Sequence, residues 1–374
     1  MNPRDLSPRL WTAEVVYAGF GTPMLNGAVA VVGEHVAGVG GLEELRRAFP
    51  QAEVIFKGKA LTPAPVNAHT HLDLSALPYF RGHYVDFMNY VIGNADKRNL
   101  EAAKTGYAEL KAIGVGAFGD IVARDEVMDW LLEESELPGV AYREVIGANP
   151  DKAKEVFDAV KPRFLEWKKR EGKVRVGISP HTAHTVSAPL LRKLAEFARL
   201  EGFPLQIHLA ESPAEVEYLR HDTGSFVPFL EPYRGPHWKT PGVSPVQYLA
   251  DLGVLGPNLR LVHAVQVDEQ DVQTLAQSGC KVVSCPRSNE GLECGEFPWS
   301  LYLKHGVEVA LGTDSRASSP DLDVRNEALF LWDKVDLRVL VRAATRGGYR
   351  VLGLEPPRLT RGAPVSQIHI WQGS

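Results

Sequence analysis

Cysteine is nearly absent. Cys280, Cys285 and Cys294 are the three in 374 residues, odd in number and without CxxC spacing. A disulfide framework is thereby excluded, and a reducing, cytoplasmic setting is the expectation. Long apolar runs are missing too: nothing reaches the roughly 18 apolar residues of a membrane-spanning helix. Met1 to Leu10 carries charges of both signs and no apolar stretch, so no signal peptide is expected. Basic charge is not in excess either, since 41 Lys and Arg stand against 46 Asp and Glu for a net charge of -5. Nucleic acid and anionic membranes are therefore poor partners. The G-x-S-x-G elbow of a serine hydrolase does not occur. Gly114, Gly116 and Gly119 match GxGxxG in spacing alone, because they lead into a strand instead of joining a strand to a helix.

What is present is an ordinary globular balance, 44% hydrophobic and 23% charged, in a chain too long for one small core. Residues before Lys59 hold short β-prone runs at Glu14–Tyr17, Gly27–Val32, Glu34–Gly38 and Glu53–Gly58, with one helix over Leu42–Ala48. Ala363–Trp371 alternates in the same manner. Residues 1–59 and 353–374 are thus expected to form one small β-sandwich domain built from both chain termini. Between them, residues 60–352 alternate apolar strands with amphipathic helices such as Ala188–Glu201 and Glu269–Ser278, the pattern of parallel βα units. Eight strands are expected: Leu61–His71, Val115–Val122, Val140–Ile146, Val174–Pro180, Leu205–Ala210, Leu259–Val265, Lys281–Cys285 and Val307–Gly312. That count predicts an α/β TIM (β/α)8 barrel, a fold whose active sites lie at the C-terminal ends of the strands.

Histidine collects at those ends. Of the 12 in the chain, His69, His71, His181, His184, His208 and His263 all fall at or just beyond a strand terminus. His69 and His71 are two apart, so a strand points both imidazoles to one side. The eighth strand ends Gly312-Thr313-Asp314-Ser315. His69, His71, His208 and Asp314 are assigned as ligands of one divalent metal, since three imidazoles and a carboxylate suit zinc first and iron(II) second. A second metal would need a bridging anion such as a carboxylated lysine, and Lys173 lies at the wrong end of its strand. Such an ion makes a bound water acidic near neutral pH. Glu211, three residues past His208, is placed to carry protons, His263 to support charge at the attacked carbon, and Asp314 to ligate and also relay a proton.

The set Asn67-Ala68-His69-Thr70-His71-Leu72, His208-Leu209-Ala210-Glu211, Val262-His263-Ala264, Ser284-Cys285-Pro286-Arg287-Ser288-Asn289 and Ala310-Leu311-Gly312-Thr313-Asp314-Ser315 resembles the amidohydrolase superfamily, in its cytosine deaminase/chlorohydrolase branch. The resemblance spans essentially the whole chain. It implies a mononuclear metal site and a deaminase or dechlorinase acting on an aminated heterocycle. Within the branch, the run His69 to Ser75 and the compact length look most like the aminodeoxyfutalosine deaminases of the menaquinone route, which take the 6-amino group from an adenine nucleoside. By the same resemblance His181 contacts a purine ring nitrogen. Two departures, His184 after Ala183 and Ser315 to Ser319 after Asp314, leave the 5′ substituent open. His184 and Ser315 are therefore counted among the candidate substrate contacts. Arg143 and Arg287 can bind a carboxylate on that substituent, or Arg143 can be a rim ion pair with Glu144 or another acid.

The aromatic run Tyr79, Phe80, Tyr84, Phe87 and Tyr90 reads as packing in an extended loop, with one ring available to stack on a purine. Residues 226–243 are a lid, a surface excursion or a homo-oligomer contact. The expected partner is a small purine nucleoside. Competing readings are a methylthioadenosine or adenosylhomocysteine deaminase, an amide- or halide-releasing hydrolase with the same shell, or a silent barrel that only binds. Glu211 argues against the last, because a structural metal needs no unligated acid beside it.

Overall fold

A computed structural model describes residues 7–372. At its centre eight parallel strands pair in strict chain order. They are Val66–Thr70, Ala117–Val122, Gly139–Val145, Val174–Pro180, Leu205–Leu209, Leu259–His263, Lys281–Ser284 and Val309–Leu311, hereafter barrel strands 1 to 8. Every residue of strands 1, 2, 5, 6 and 8 is buried. Both faces of the sheet are covered, which is why these segments read as continuous apolar runs. The sheet closes where Thr70 and Asp314 form a parallel bridge and the His69 carbonyl accepts the Thr313 and Asp314 N–H groups.

Two residues make that seam possible. A Cβ at Gly312 would stand 2.7 Å from His69 Cβ and 2.8 Å from its nitrogen, so strand 1 comes this close only because the position is glycine. Asn67, fully buried, accepts from Thr313 N–H (3.1 Å) and donates to Thr313 Oγ1 (2.7 Å) and the Leu322 carbonyl (3.1 Å). A buried amide without partners would be costly; here each bond it makes ties strand 1 to the segment beyond strand 8.

The helices around the barrel follow their sequence signals. Ala188–Glu201 buries Leu190, Leu191, Leu194, Ala195, Phe197 and Ala198 as one stripe and stops at Gly202, which is left-handed. Glu269–Ser278 begins with a capping box between Asp268 and Asp271 and ends at left-handed Gly279. No helix among the described residues is long and apolar enough to cross a membrane.

Two four-stranded sheets gather the first and last strands of the described residues. One orders His35–Gly41, Gly27–Val32, Arg9–Thr12 and Glu53–Phe56; the other orders His369–Trp371, Ala60–Thr62, Val15–Val16 and Met24–Leu25. Val16, Val29, Val31, Leu61, Leu359 and Ile368 form the core between them. The helix Leu42–Ala48 is where the sequence placed it. The strand expected over Leu61–His71 is two strands, however. Ala60–Thr62 belongs to the small sheet, and the chain resumes at Val66 after Pro63 and Pro65, neither of which can donate to a ladder. Ala363–Trp371 is likewise broken, a 3-10 turn at Val365–Gln367 preceding the short strand. Residues 226–243 begin with the helix Phe226–Arg234, which buries Phe226 and Leu230.

Candidate active site

The C-terminal ends of strands 1, 3, 4, 5, 6 and 8 open into a cavity of about 550 Å³, bordered by His71, His181, His208, Glu211, His263, Asp314 and Ser315. At its base ligand atoms of His69, His71 and His208 all lie within 4.8 Å of one another. The rings of His69 and His71 are not side by side as two-residue spacing in a strand suggests. Strand 1 ends at Thr70, its register with strand 2 shifts between Asn67 and Thr70, and the two rings meet edge to face at 4.9 Å. Their nitrogens still converge.

The hydrogen bonds behind these rings decide which nitrogens face the cavity. Gln206 donates to the Ala68 carbonyl (3.3 Å), which turns its Oε1 toward His69 Nδ1 at 2.7 Å. An amide oxygen only accepts, so Nδ1 carries the hydrogen and Nε2 keeps its lone pair. His208 Nδ1 donates to the His181 carbonyl (2.9 Å) and so presents Nε2 in the same way. His69 Nε2 is buried with no hydrogen-bond partner, and His71 Nε2 faces His208 Nε2 at 3.1 Å. Asp314 Oδ1 stands 3.5 Å from His69 Nε2 and 3.3 Å from His71 Nε2, while its Oδ2 accepts from Ser288 (2.8 Å) and Ser318 (2.6 Å). Three imidazoles whose nitrogens converge, with a carboxylate oxygen beside two of them, are what a shared divalent cation satisfies, so the donor set fits one. Burial pulls His71 and His208 well below the usual imidazole range, which favours the neutral, ligating form. Burial alone would raise Asp314, but the facing imidazoles of His69, His71 and His263 outweigh it and hold the carboxylate well below its usual range.

Glu211 and His263 stand beside this cluster. Glu211 Oε1 lies 3.4 Å from His263 Nε2, and His263 Nδ1 donates to Asn289 Oδ1 at 2.8 Å. Burial, then the carboxylates of Asp314 and Glu215, push Glu211 well above the usual range, as suits a group that must pick up a proton near neutral pH. Ala210, His263, Ala264 and Asp314 all have positive φ (50°, 67°, 45° and 61°). Non-glycine residues enter that region at a cost, and here the strain gathers at the ends of strands 5, 6 and 8.

His181 reaches the cavity with its Nδ1 on Thr185 Oγ1 (2.8 Å) and its Nε2 3.8 Å from Glu144. Ser315 borders it as well. His184 does not: it is buried behind the wall, its ring 4.7 Å from that of Phe226 and its Nδ1 3.9 Å from Glu215. Neither arginine is brought to the cavity. Arg143 pairs with Asp125 (2.8 Å) and donates to the Glu144 carbonyl, and Arg287 is saturated by Asp321 and Glu327. Tyr84 and Phe87 do border it, on a helix Tyr84–Gly93 that the sequence reading took for a loop. Facing them are Phe229, Leu230 and Tyr233 from the 226–243 insertion. Gln206, Ser288, Asn289 and Ser318 went unassigned in sequence. The period of two in strand 5 puts Gln206 on the same face as His208, and that was the available signal.

Residues 60–358 match the amidohydrolase family, and residues 27–52 match an imidazolonepropionase-like composite domain. The chain belongs to the amidohydrolase family. An aminodeoxyfutalosine deaminase of Deinococcus radiodurans is 45% identical to this amidohydrolase over 97% of its chain and 90% of the relative's length. A 5-methylthioadenosine/S-adenosylhomocysteine deaminase of Syntrophobacter fumaroxidans is 29% identical over 88% of this chain and 75% of its own. Among solved structures, Helicobacter pylori aminofutalosine deaminase in complex with methylthio-coformycin superposes with a TM-score of 0.75, at 20% identity, over 95% of this chain and 90% of that one. An adenosine deaminase of Xanthomonas campestris with bound zinc gives 0.69 at 21% identity, over 95% and 82%. At those identities the two structures attest the fold.

Proposed function

We propose that this amidohydrolase deaminates the 6-position of an adenine nucleoside, with 6-aminodeoxyfutalosine as substrate and futalosine as product. The observation that carries the reading is the convergence of His69, His71 and His208, with Asp314 Oδ1 within 3.5 Å of two of them, beside an unligated pair, Glu211 and His263, at the base of one cavity. The Deinococcus relative supports the choice of substrate. His69, His71, His208 and Asp314 would hold one divalent cation, zinc by donor type. When bound, that cation supplies Lewis acidity and a water ionisable near neutral pH.

The remaining chemistry belongs to the chain. Glu211 takes a proton from the attacking water and delivers it to the purine nitrogen next to C6. A C6–O bond forms; Glu211, ionised again, then carries the proton of the new C6 hydroxyl to the amino group, the C6–N bond breaks, and ammonia leaves a C6 carbonyl beside the ring N–H. His263 presents Nε2 to the attacking oxygen because Asn289 occupies Nδ1. His181 orients the purine ring, Ser315 lies within reach of the base, and the Tyr84–Gly93 and Phe226–Arg234 helices shield the remainder of the nucleoside from water. Three free, buried cysteines agree with a reducing cytoplasm, where we place the enzyme.

The test is ammonia release from adenosine, methylthioadenosine, adenosylhomocysteine and aminodeoxyfutalosine, compared as kcat/KM. The aminodeoxyfutalosine value is expected to exceed the others. A higher value for methylthioadenosine or adenosylhomocysteine would move the assignment to the activity named for the Syntrophobacter relative. Turnover of a cytosine or triazine alone would overturn the purine reading.

A further inference from the structure

Glu211 owes its place to a turn that is unfavourable by itself. Strand 5 ends at Leu209, Ala210 follows in the left-handed region at φ 50°, and the helix Pro213–His221 begins after Ser212. Alanine gains nothing from that conformation, so neighbours must impose it. The Ala210 carbonyl accepts from Val265 (2.9 Å) and Gln266 (2.8 Å), which fastens one side of the turn to the end of strand 6. The other side is fastened by Glu215, whose Oε2 accepts the Glu211 backbone N–H at 2.8 Å.

Glu215 is out of place for an ordinary helix acid. It sits in the first turn, where a carboxylate is favoured, with its own N–H on Ser212 Oγ at 3.3 Å. Yet it is 2% exposed, and its Oε1 has no hydrogen-bond partner. Across from that oxygen, at 3.9 Å, stands His184 Nδ1; both ring nitrogens of His184 are buried and unpartnered too. A buried acid and a buried imidazole facing each other at 3.9 Å contribute little to stability by that contact. Neither borders the cavity. What the pair does hold is the backbone that aims Glu211 at His263.

We propose that Glu215, backed by His184, is a positioning residue for Glu211: its carboxylate fixes the 210–212 turn so that the Glu211 carboxyl stays against His263 over the reacting carbon. The inference rests on the deaminase reading. It assigns Glu215 no contact with substrate or cation.

Three variants test it, with the wild-type enzyme, loaded with zinc, turning over whichever nucleoside it prefers. Glu215→Ala removes the acceptor; a misplaced carboxyl should lower kcat by about 10- to 100-fold and leave KM within about threefold, since the binding walls are untouched. Zinc content by elemental analysis should remain at the wild-type value. Glu215→Gln keeps an oxygen for the same N–H and should recover most of the lost kcat. His184→Leu should fall between the two. Wild-type kcat in Glu215→Ala would overturn the proposal. So would a Glu215→Gln variant as slow as Glu215→Ala, because the hydrogen bond would then not be the cause. A rise in KM or loss of zinc in step with kcat would make the role structural. A wild-type enzyme that releases no ammonia from any purine nucleoside would instead defeat the deaminase reading itself.

Discussion

Replacing Gln206 with Met removes one acceptor and one donor from the floor of the site while nearly keeping the side-chain volume. In the native protein the amide holds His69 Nδ1–H at 2.7 Å and the Ala68 carbonyl at 3.3 Å, fully buried between strands 5 and 1. Without Oε1, nothing holds the hydrogen on Nδ1, and His69 can move it to Nε2, the atom that must stay free. Loss of such a support behind a ligating histidine weakens metal binding by about 10- to 100-fold, or about 1.4 to 2.7 kcal/mol. The Ala68 carbonyl, left without its donor, costs the metal-free fold a further ~1 to 3 kcal/mol. Zinc affinity is measured by competition with a chromophoric chelator, and stability of the metal-free protein by urea unfolding. Affinity within twofold of wild type would refute the reasoning, since the tautomer of His69 would then not depend on Gln206.

Glu211→Gln should retain stoichiometric zinc and lose at least about 100-fold in kcat, the span attributed to a positioned general acid–base group; elemental analysis and ammonia release report the two separately. Stripping the metal with a chelator should lower the melting temperature, because an ion held at about 1,000 times its Kd contributes ~4 kcal/mol to the native state; an unchanged melting curve would place the cation elsewhere. Asn67→Ala breaks three hydrogen bonds across the barrel seam and should destabilise the fold by roughly 2 to 4 kcal/mol, at about 1 kcal/mol for each bond plus the groups left unpaired, as urea unfolding will show. Cys280, Cys285 and Cys294 are all buried, and burial pushes the Cys280 thiol up to about 11. A thiol reagent should therefore label none in the native protein and all three after denaturation.

Barrel, strand order and the residues that converge were legible because each rests on a short-range rule. Parallel strands buried on both faces are apolar throughout, and the fold puts their C-terminal ends on one rim, so histidines far apart in sequence meet without any contact being known in advance. Other features depend on partners that sequence does not announce. The partners of Arg143 and Arg287 are remote, since Asp125 lies 18 positions from Arg143, and Asp321 and Glu327 lie 34 and 40 from Arg287, on separate elements. His184 shares a loop with His181, and spacing alone does not say which of the two faces the cavity. The break at Pro63 and Pro65 was visible in composition but lost inside an apolar run. The helix Tyr84–Gly93 was obscured for the opposite reason: its apolar residues divide between the cavity wall and half-buried packing, and none is fully buried.

The pairing of Ala60–Thr62 with His369–Trp371 has a bearing on how the molecule is made. Synthesis runs from the N-terminus, so Ala60–Thr62, already beside Val15–Val16, waits for its second neighbour until the barrel strands have been made. The barrel can close before then, and the small lobe is completed after it, like a buckle fastened once the belt is round. Deleting the closing strand would leave Leu61 and the other neighbours of Ile370 without their cover and an unpaired edge on Ala60–Thr62, which is an invitation to join a second chain. A cut before His369 should therefore yield aggregates instead of a smaller working enzyme.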